Sequence, residues 1–335
     1  MTQIVTHIGM AKCLSTALQS AWDRAENYQI FRPTSLIEQI DLIVSDNNGD
    51  WQALGEIASN QQLKRDRFEQ LAGDVVVLSS ENMTTSFTTE ARANSTWIHS
   101  KHRAMASLFG ACSDSILLLV RDPLSWTTSM YYQHIKQGGS LAFRQYVDLY
   151  AQNILANLDI KGILEAFNAV CKNVVILPLE LARHDEPAFW EEYRDRLGVP
   201  LPNPSELPKH PVDSNVTRTS SIATHRKLNS LMQAVETTLN RQNFNDKSAV
   251  LDGLYMTKNW GMRRAMSLGS DQELEDVAEL IGLRESSAKT EDIFDLSAPL
   301  VECFLEPLRT STQFPYPEWL QQYEDNLRSG TVLVY

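Results

Sequence analysis

Short apolar runs, rich in β-branched residues, recur along the first two thirds of the chain. The clearest of them covers residues 115–120, and the others cover residues 4–8, 74–78 and 174–177. Continuous apolar runs of this length are typical of strands that are buried on both faces, as the strands of a parallel sheet are. The pattern therefore predicts at least four buried strands.

Between these runs the apolar residues recur at helical spacing. Helices are predicted to begin at Ser15 or Thr16, near Ser95 and at Pro123, and to cover residues 146–170 and 187–197. A start at Pro123 fits the preference for proline in the first helical turn. Strands that alternate with helices predict parallel βαβ units. We therefore expect an α/β fold with a central parallel β-sheet flanked by helices.

A proline-rich connection separates this region from a mainly helical remainder. Residues 200–216 contain five of the thirteen prolines, and helical patterns follow over about 219–242, 271–283 and 297–310. We expect a single domain over residues 1–335, in which 1–200 form the α/β core and 201–335 form a mainly helical C-terminal cap. A chain of this length can bury a large core without disulfide bonds.

Composition narrows the class of protein. Hydrophobic residues make up 43% of the chain and charged residues 21%, which is ordinary for a globular protein. The net charge of −12 argues against a nucleic-acid partner, because such proteins usually carry a basic surface. An acidic protein can still hold a small anion in a locally basic pocket.

The cysteines and the apolar segments indicate where the protein works. The four cysteines are widely separated, which is typical of reduced, buried thiols and not of a disulfide framework or a zinc site; they are Cys13, Cys112, Cys171 and Cys303. No apolar stretch approaches the length that spans a bilayer. The first residues lack the pattern of a secretory leader. We expect a cytoplasmic protein with no membrane span.

The segment that joins the first predicted strand to the first helix could bind a phosphate. The N-terminus of a helix presents free N–H groups and the positive end of its dipole, to which Lys12 adds an ammonium and Ser15 and Thr16 add hydroxyls. The segment is not a Walker A loop, in which Gly-Lys-Ser or Gly-Lys-Thr are adjacent, because two residues separate Lys12 from Ser15. The alternative is an ordinary turn that Ser15 caps.

Two further segments place polar residues at predicted strand ends, where ligands of parallel sheets bind. Arg121 ends the strongest strand, and Ser129 lies on the helix that follows it. A guanidinium and a hydroxyl suit a terminal phosphate; the alternative is an Arg121–Asp122 pair with Ser129 bonded inside its own helix.

Glu81 follows the second apolar run and could deprotonate an acceptor hydroxyl. The alternative is a helix-capping or ion-paired glutamate. Imidazole is the commonest general base, so four histidines compete with Glu81 for that role; they are His7, His99, His102 and His134.

In this order and spacing, the segments resemble the sulfotransferases that use 3′-phosphoadenosine-5′-phosphosulfate (PAPS). That family has a 5′-phosphosulfate loop of the form Lys-x-Gly followed by two Ser or Thr, and its 3′-phosphate is held by an Arg with a Ser eight residues later. This chain has Lys12-Cys13-Leu14-Ser15-Thr16 in the loop, and Arg121 and Ser129 at the second position. Residues 79–81 match the strand end at which the family places its base, and the resemblance covers about residues 4–235.

The chain departs from the family pattern at three points. Leu14 stands where the family usually has glycine, and Leu179 stands where it usually has an aromatic residue. The basic, glycine-rich loop of cytosolic members has no clear copy. Residues 258–264 are either a substitute for that loop or an exposed basic turn.

The resemblance implies a P-loop NTPase-like sulfotransferase fold and in-line transfer of a sulfuryl group to a hydroxyl or amine, without a metal. Lys12, Cys13, Leu14, Ser15 and Thr16 would hold the phosphosulfate, with Lys12 also at the bridging oxygen. Arg121 and Ser129 would hold the 3′-phosphate, and Glu81 is the preferred base.

The acceptor is expected to be a small molecule, a sugar or a lipid head group, since a polyanion would be repelled by the acidic surface. The sequence leaves a homodimer open. Two alternatives also stay open: a small-molecule P-loop kinase, and a non-catalytic nucleotide-binding protein on the same scaffold.

Overall fold

A computed structural model describes a large part of the chain in two compact units. The described residues are 2–34, 37–38, 65–69, 73–80, 82–85, 95–202, 226, 229–230, 233, 237, 290–293 and 296–334. The first unit comprises Met1–Thr127, Tyr150–Asn215 and Phe294–Gly330. The second comprises Thr128–Leu149, Val216–Ile293 and Thr331–Tyr335. The expected single domain stays a prediction.

A five-stranded parallel sheet forms the centre of the first unit. Its strands are β1 (Gln3–His7), β2 (Tyr28–Phe31), β3 (Val75–Ser79), β4 (Ser115–Val120) and β5 (Val174–Pro178). They lie in the order β2-β3-β1-β4-β5, and every adjacent pair is parallel. All residues of β3, β4 and β5 are buried, as their continuous apolar runs predict. The predicted α/β fold with a central parallel sheet is confirmed.

Eight α-helices are described in the region up to residue 202. They are α1 (Ser15–Arg24), α2 (Arg65–Glu69), α3 (Ser95–Phe109), α4 (Pro123–Lys136), α5 (Phe143–Asn157), α6 (Ile160–Asn168), α7 (Leu179–His184) and α8 (Glu186–Leu197). A short 3₁₀ turn, Gly110–Cys112, follows α3. The predicted starts at Ser15, Ser95 and Pro123 are confirmed.

One predicted helix is wrong in its extent. The expected helix over residues 146–170 is two helices, α5 and α6, and α5 is itself kinked at Tyr150. Asp159 begins α6, because its carboxylate accepts a hydrogen bond from the Gly162 N–H at 3.0 Å. A side chain that bonds the backbone locally in this way competes with helix continuation, so the pattern of apolar residues alone overruns the break.

The C-terminal part of the first unit is helical. It contains α9 (Ser297–Leu300), a π-helical segment (Val301–Leu305), α10 (Glu306–Thr310) and α11 (Pro317–Ser329). Helical structure over 297–310 is therefore confirmed. Helix α11 buries Leu320, Tyr323 and Leu327 on one side.

In the second unit, β6 (Thr290–Ile293) and β7 (Thr331–Val334) pair in antiparallel fashion. The described residues within the predicted helix 219–242 are helical, and the predicted helix 271–283 lies outside the described residues. No helix in the described part of the chain combines the length and apolar character that crossing a bilayer requires.

Candidate functional site

The strand order reverses between β1 and β4. After β1 the chain forms β2 and β3 on one side of β1, and then β4 and β5 on the other side. In open parallel sheets, ligands bind beyond the carboxyl ends of the strands where the order reverses in this way. The segment that follows β1, residues 8–14, and Arg121, which follows β4, both lie at this point. We call residues 8–14 the β1–α1 loop.

Two threonines after β3 hold the β1–α1 loop from one side. Thr84 Oγ1 donates to the carbonyl of Ile8 at 2.9 Å, and Thr85 Oγ1 accepts from the N–H of Ala11 at 3.0 Å. Both threonines are buried. This support cannot be predicted from the sequence, because nothing in a short polar segment shows which distant backbone groups it satisfies.

Two side chains that follow β4 hold the loop from the other side. Trp126 Nε1 donates to the carbonyl of Ala11 at 2.8 Å, and Arg121 Nη1 donates to the carbonyl of Lys12 at 3.2 Å. Trp126 is only 1% exposed, so its indole is part of the core as well as a support for the loop. The contact between Arg121 and Lys12 brings together two residues that the sequence analysis assigned to one ligand.

Leu14 adopts the backbone conformation that favours glycine. Its φ is 64° and its ψ is 2°, and it is the N-cap of α1. Lys12 also has a positive φ, of 66°. A left-handed conformation costs a residue other than glycine about 1–2 kcal/mol. Leu14 therefore keeps the left-handed turn for which the family uses glycine, and it adds strain to that turn.

The N-terminus of α1 has hydrogen-bond donors that the described protein groups leave unused. Leu14 supplies no side-chain cap, and its carbonyl accepts from Ala17 and Leu18. The amides of Ser15 and Thr16 belong to the first turn, where N–H groups have no intrahelical acceptor. Ser15 is 3% exposed, and its Oγ has no hydrogen-bond partner among the described residues. Thr16, beside it, is exposed, whereas Cys13 is fully buried.

Arg121 also has an unused donor. Its Nε is buried and has no hydrogen-bond partner within the described part of the chain, although its Nη1 is tied to the loop. Burial and the nearby Arg183 charge lower the pKa of this guanidinium, and Cys13 and the carboxylates of Glu180 and Asp122 partly offset that effect. An anion that accepts from Nε would restore the solvation that burial removes.

Two of the four candidate histidines support the site and are neutral at pH 7. Burial lowers the pKa of His7 to about 3 and that of His102 to about 4. His7 Nδ1 is 2.9 Å from Ser79 Oγ, and His102 Nε2 donates to the carbonyl of Thr84 at 2.8 Å. Gly9 packs against His7 so closely that a Cβ on residue 9 would lie 2.4 Å from Nε2. These pKa values make both imidazoles poor proton acceptors near neutral pH.

The remaining predicted residues lie on α3, on the part of α4 in the second unit, or outside the described residues. His99 pairs with Asp159 at 3.0 Å, between α3 and α6. Ser129 and His134 lie on the part of α4 that belongs to the second unit. Glu81 and the segment 258–264 lie outside the described residues. The pairing of Arg121 with Ser129 and the role of Glu81 therefore stay predictions. In the described ranges, no group of three or more His, Cys, Asp or Glu side chains could hold a metal ion.

The sequence matches no family model and no curated protein. The solved structures that are similar to the chain include two sulfotransferases. A sulfotransferase from Alicyclobacillus acidocaldarius is 14% identical over 74% of this chain and 99% of that chain, with a TM-score of 0.38. The mouse sulfotransferase SULT7A1 complexed with PAP is 12% identical over 83% of this chain and 89% of that chain, with a TM-score of 0.34. At these identities and TM-scores, the function of the chain has to be argued from its own residues.

Proposed function

We propose that the chain is a PAPS-dependent sulfotransferase that transfers a sulfuryl group to a hydroxyl or amine of a small-molecule, sugar or lipid acceptor. One observation carries the proposal. Ser15 Oγ and Arg121 Nε are both buried, both lack a partner among the described residues, and both flank the β1–α1 loop. A buried donor without a partner costs about 1–3 kcal/mol, so a bound anion that accepts from it recovers this energy.

The 5′-phosphosulfate fits the N-terminus of α1. Ser15 Oγ and the amides of Ser15 and Thr16 would donate to its oxygens, and the helix dipole favours negative charge there. The resemblance assigns the bridging oxygen to Lys12, while Cys13 and Leu14 line the turn. The four hydrogen bonds to Ile8, Ala11 and Lys12 hold the loop before any ligand arrives, which lowers the entropic cost of binding.

The 3′-phosphate is assigned to Arg121 and Ser129, as the resemblance implies. Arg121 suits this role because one arm of its guanidinium is fixed to the Lys12 carbonyl and its Nε stays available to an acceptor. A guanidinium that is already oriented loses little rotamer freedom on binding a phosphate.

PAPS would supply the sulfuryl group, and adenosine 3′,5′-bisphosphate (PAP) would leave. The protein would align the two ends of the transfer and stabilise the charge that develops on the leaving phosphate. Lys12, Ser15 and the amides of the loop would provide that stabilisation. Glu81 would take the proton from the acceptor, as the resemblance implies, since His7 and His102 are buried at 0% and 1% exposure.

Two alternatives from the sequence make different predictions. A small-molecule kinase requires ATP and Mg²⁺, and Asp122 would be its magnesium ligand; Asp122 instead accepts from the Ser125 N–H at 2.6 Å and from Asn326 at 3.0 Å. A non-catalytic nucleotide-binding protein on the same scaffold is favoured by Leu14 in the place of glycine. It would bind PAP and transfer nothing. A cytoplasmic location belongs to the proposal as well, and a homodimer is compatible with it.

The test combines binding with turnover. PAP is titrated into the purified full chain by calorimetry, and radiolabelled PAPS is then offered with a panel of phenols, amines, sugars and lipid head groups. Lys12→Ala should lower turnover by at least about a hundredfold, which is the scale of losing one charged contact in a transition state. Lys161→Ala is the matched control, because Lys161 is exposed on α6.

The possible outcomes separate the three functions. Binding of PAP with transfer to an acceptor supports the sulfotransferase. Binding without transfer to any acceptor supports the non-catalytic protein, and magnesium-dependent ATP binding without PAP binding supports the kinase. Unchanged turnover in Lys12→Ala would contradict the role given to that lysine.

A further inference from the structure

Two buried carboxylates lie beside the end of β4, and the proposed reaction gives them no role. Glu180 is 6% exposed and Asp122 is 3% exposed. Taking a carboxylate out of water costs several kcal/mol unless hydrogen bonds satisfy its oxygens. The hydrogen-bond partners of these two carboxylates therefore show which segments of the chain they hold together.

Glu180 links the end of β4 to the C-terminal helix α11. Its Oε1 accepts from the backbone N–H of Asp122 at 3.2 Å, and its Oε2 accepts from the Tyr323 hydroxyl. Burial and the Glu180 charge raise the pKa of Tyr323 well above its usual value, so the phenol stays protonated and donates. Tyr323 is 143 residues from Glu180 in sequence.

Asp122 makes a second link to the same helix. Its Oδ1 accepts from the Ser125 N–H at 2.6 Å, which caps the start of α4, and its Oδ2 accepts from Asn326 Nδ2 at 3.0 Å. Asn326 lies three residues after Tyr323, so both side chains project from one face of α11. The four carboxylate oxygens thus accept from two backbone amides and two side chains of α11.

Arg121 directly precedes Asp122, so these bonds fix the backbone from which its side chain projects. Its guanidinium also lies within electrostatic range of both carboxylates, which favour its charged form. Without Tyr323 or Asn326, one buried carboxylate oxygen would lose its partner, and the turn at 120–123 would have to shift or admit water. Either change would move the guanidinium relative to the β1–α1 loop.

We propose that Tyr323 and Asn326 are positioning residues of the donor site, which hold Arg121 in the orientation that binds a phosphate. The ligand in this inference rests on the proposed function, whereas the positioning of Arg121 does not. Helix α11 would therefore act on the nucleotide site through Arg121.

The test uses two tyrosines that make the same kind of bond. Tyr323→Phe removes the bond to Glu180, and Tyr316→Phe is the matched control, because the Tyr316 hydroxyl donates to Glu192 at 2.9 Å. Calorimetry measures PAP binding, and hydrogen–deuterium exchange without ligand follows the amides of residues 118–127. Tyr323→Phe should weaken PAP binding about tenfold, as expected for a misplaced charged hydrogen bond, and speed exchange in that segment. Tyr316→Phe should lower the melting temperature with neither effect.

Asn326→Ala provides a second, independent variant, and it should give the same pattern if Tyr323→Phe fails to fold. PAP binding equal to wild type in both folded variants would overturn the inference and leave the proposed function intact. Absence of PAP binding in the wild type would instead contradict the proposed function. In that case the hydrogen–deuterium exchange tests whether Tyr323 and Asn326 position Arg121. Faster exchange at residues 118–127 in the variants supports this role, and unchanged exchange overturns it.

Discussion

The Ser15 hydroxyl, which has no partner among the described residues, predicts that one substitution will change stability and binding in opposite directions. Ser15→Ala removes a buried Oγ that has no partner among the described residues. Relief of one unsatisfied donor gains about 1 kcal/mol at the low end of the usual range. Ala is also the better helix former. For a chain of 335 residues, about 1 kcal/mol raises the melting temperature by roughly 1–2 °C.

Binding should respond with the opposite sign. A hydrogen bond to a charged group is worth about 1.5–3 kcal/mol, so its loss should weaken PAP binding by at least about tenfold. Differential scanning calorimetry of the free protein measures the first effect, and isothermal titration with PAP measures the second. The pair of results distinguishes a ligand-binding hydroxyl from a structural one.

The control is Ser115→Ala. Ser115 is 4% exposed, and its Oγ accepts from Asn173 at 2.8 Å and donates to the carbonyl of Leu197 at 3.5 Å. Its removal should cost about 1 kcal/mol and leave PAP binding unchanged. Loss of stability in Ser15→Ala together with wild-type PAP binding would refute the reasoning, because it would mean that the folded protein already satisfies that hydroxyl.

Three other predictions address the support of the β1–α1 loop. Gly9→Ala places a Cβ 2.4 Å from His7 Nε2, so urea unfolding should show a loss of about 2 kcal/mol; wild-type stability would contradict the close packing. The unfolded chain binds protons at His7 and His102 below about pH 6.5, whereas the folded chain does so only near pH 3 and 4. The contribution of these two histidines to the free energy of unfolding is therefore fully present above about pH 6.5. It falls as the pH drops, by about 2 kcal/mol per histidine at pH 5; equal urea midpoints at pH 5 and 7.5 would contradict this. Trp126→Phe leaves the Ala11 carbonyl without its donor, so PAP binding should weaken several-fold and stability should fall by about 1–2 kcal/mol; unchanged titration and unfolding curves would argue against that anchor.

The sheet could be predicted to the extent that its strands are buried on both faces. The predicted bounds of β4 agree with the structure, and those of β1, β3 and β5 differ by one residue at one or both ends. Strand β2 was not predicted, because only Tyr28 in it is buried and the remaining residues are half-buried. An edge strand of four residues gives neither a continuous apolar run nor a clear alternation.

The ligand-facing part of the loop could be predicted, whereas its supports could not. A strand, a polar turn and a helix start are adjacent in sequence, so Lys12, Ser15 and Thr16 stand out from local pattern alone. Thr85 and Trp126 reach Ala11 across 74 and 115 residues of sequence, and only the folded sheet brings them there. The same limit applies to His7. Only the folded structure shows that its imidazole is buried against Gly9, which disfavours it as a base.

The central claim is that the N-terminus of α1 and Arg121 together bind a doubly phosphorylated adenosine. The most direct test is a crystal structure of the chain grown at saturating PAP. We predict that the 5′-phosphate accepts hydrogen bonds from Ser15 Oγ and the amides of Ser15 and Thr16, and that the other phosphate contacts Arg121 Nε. PAP bound anywhere else, or no PAP bound at that concentration, would contradict the claim.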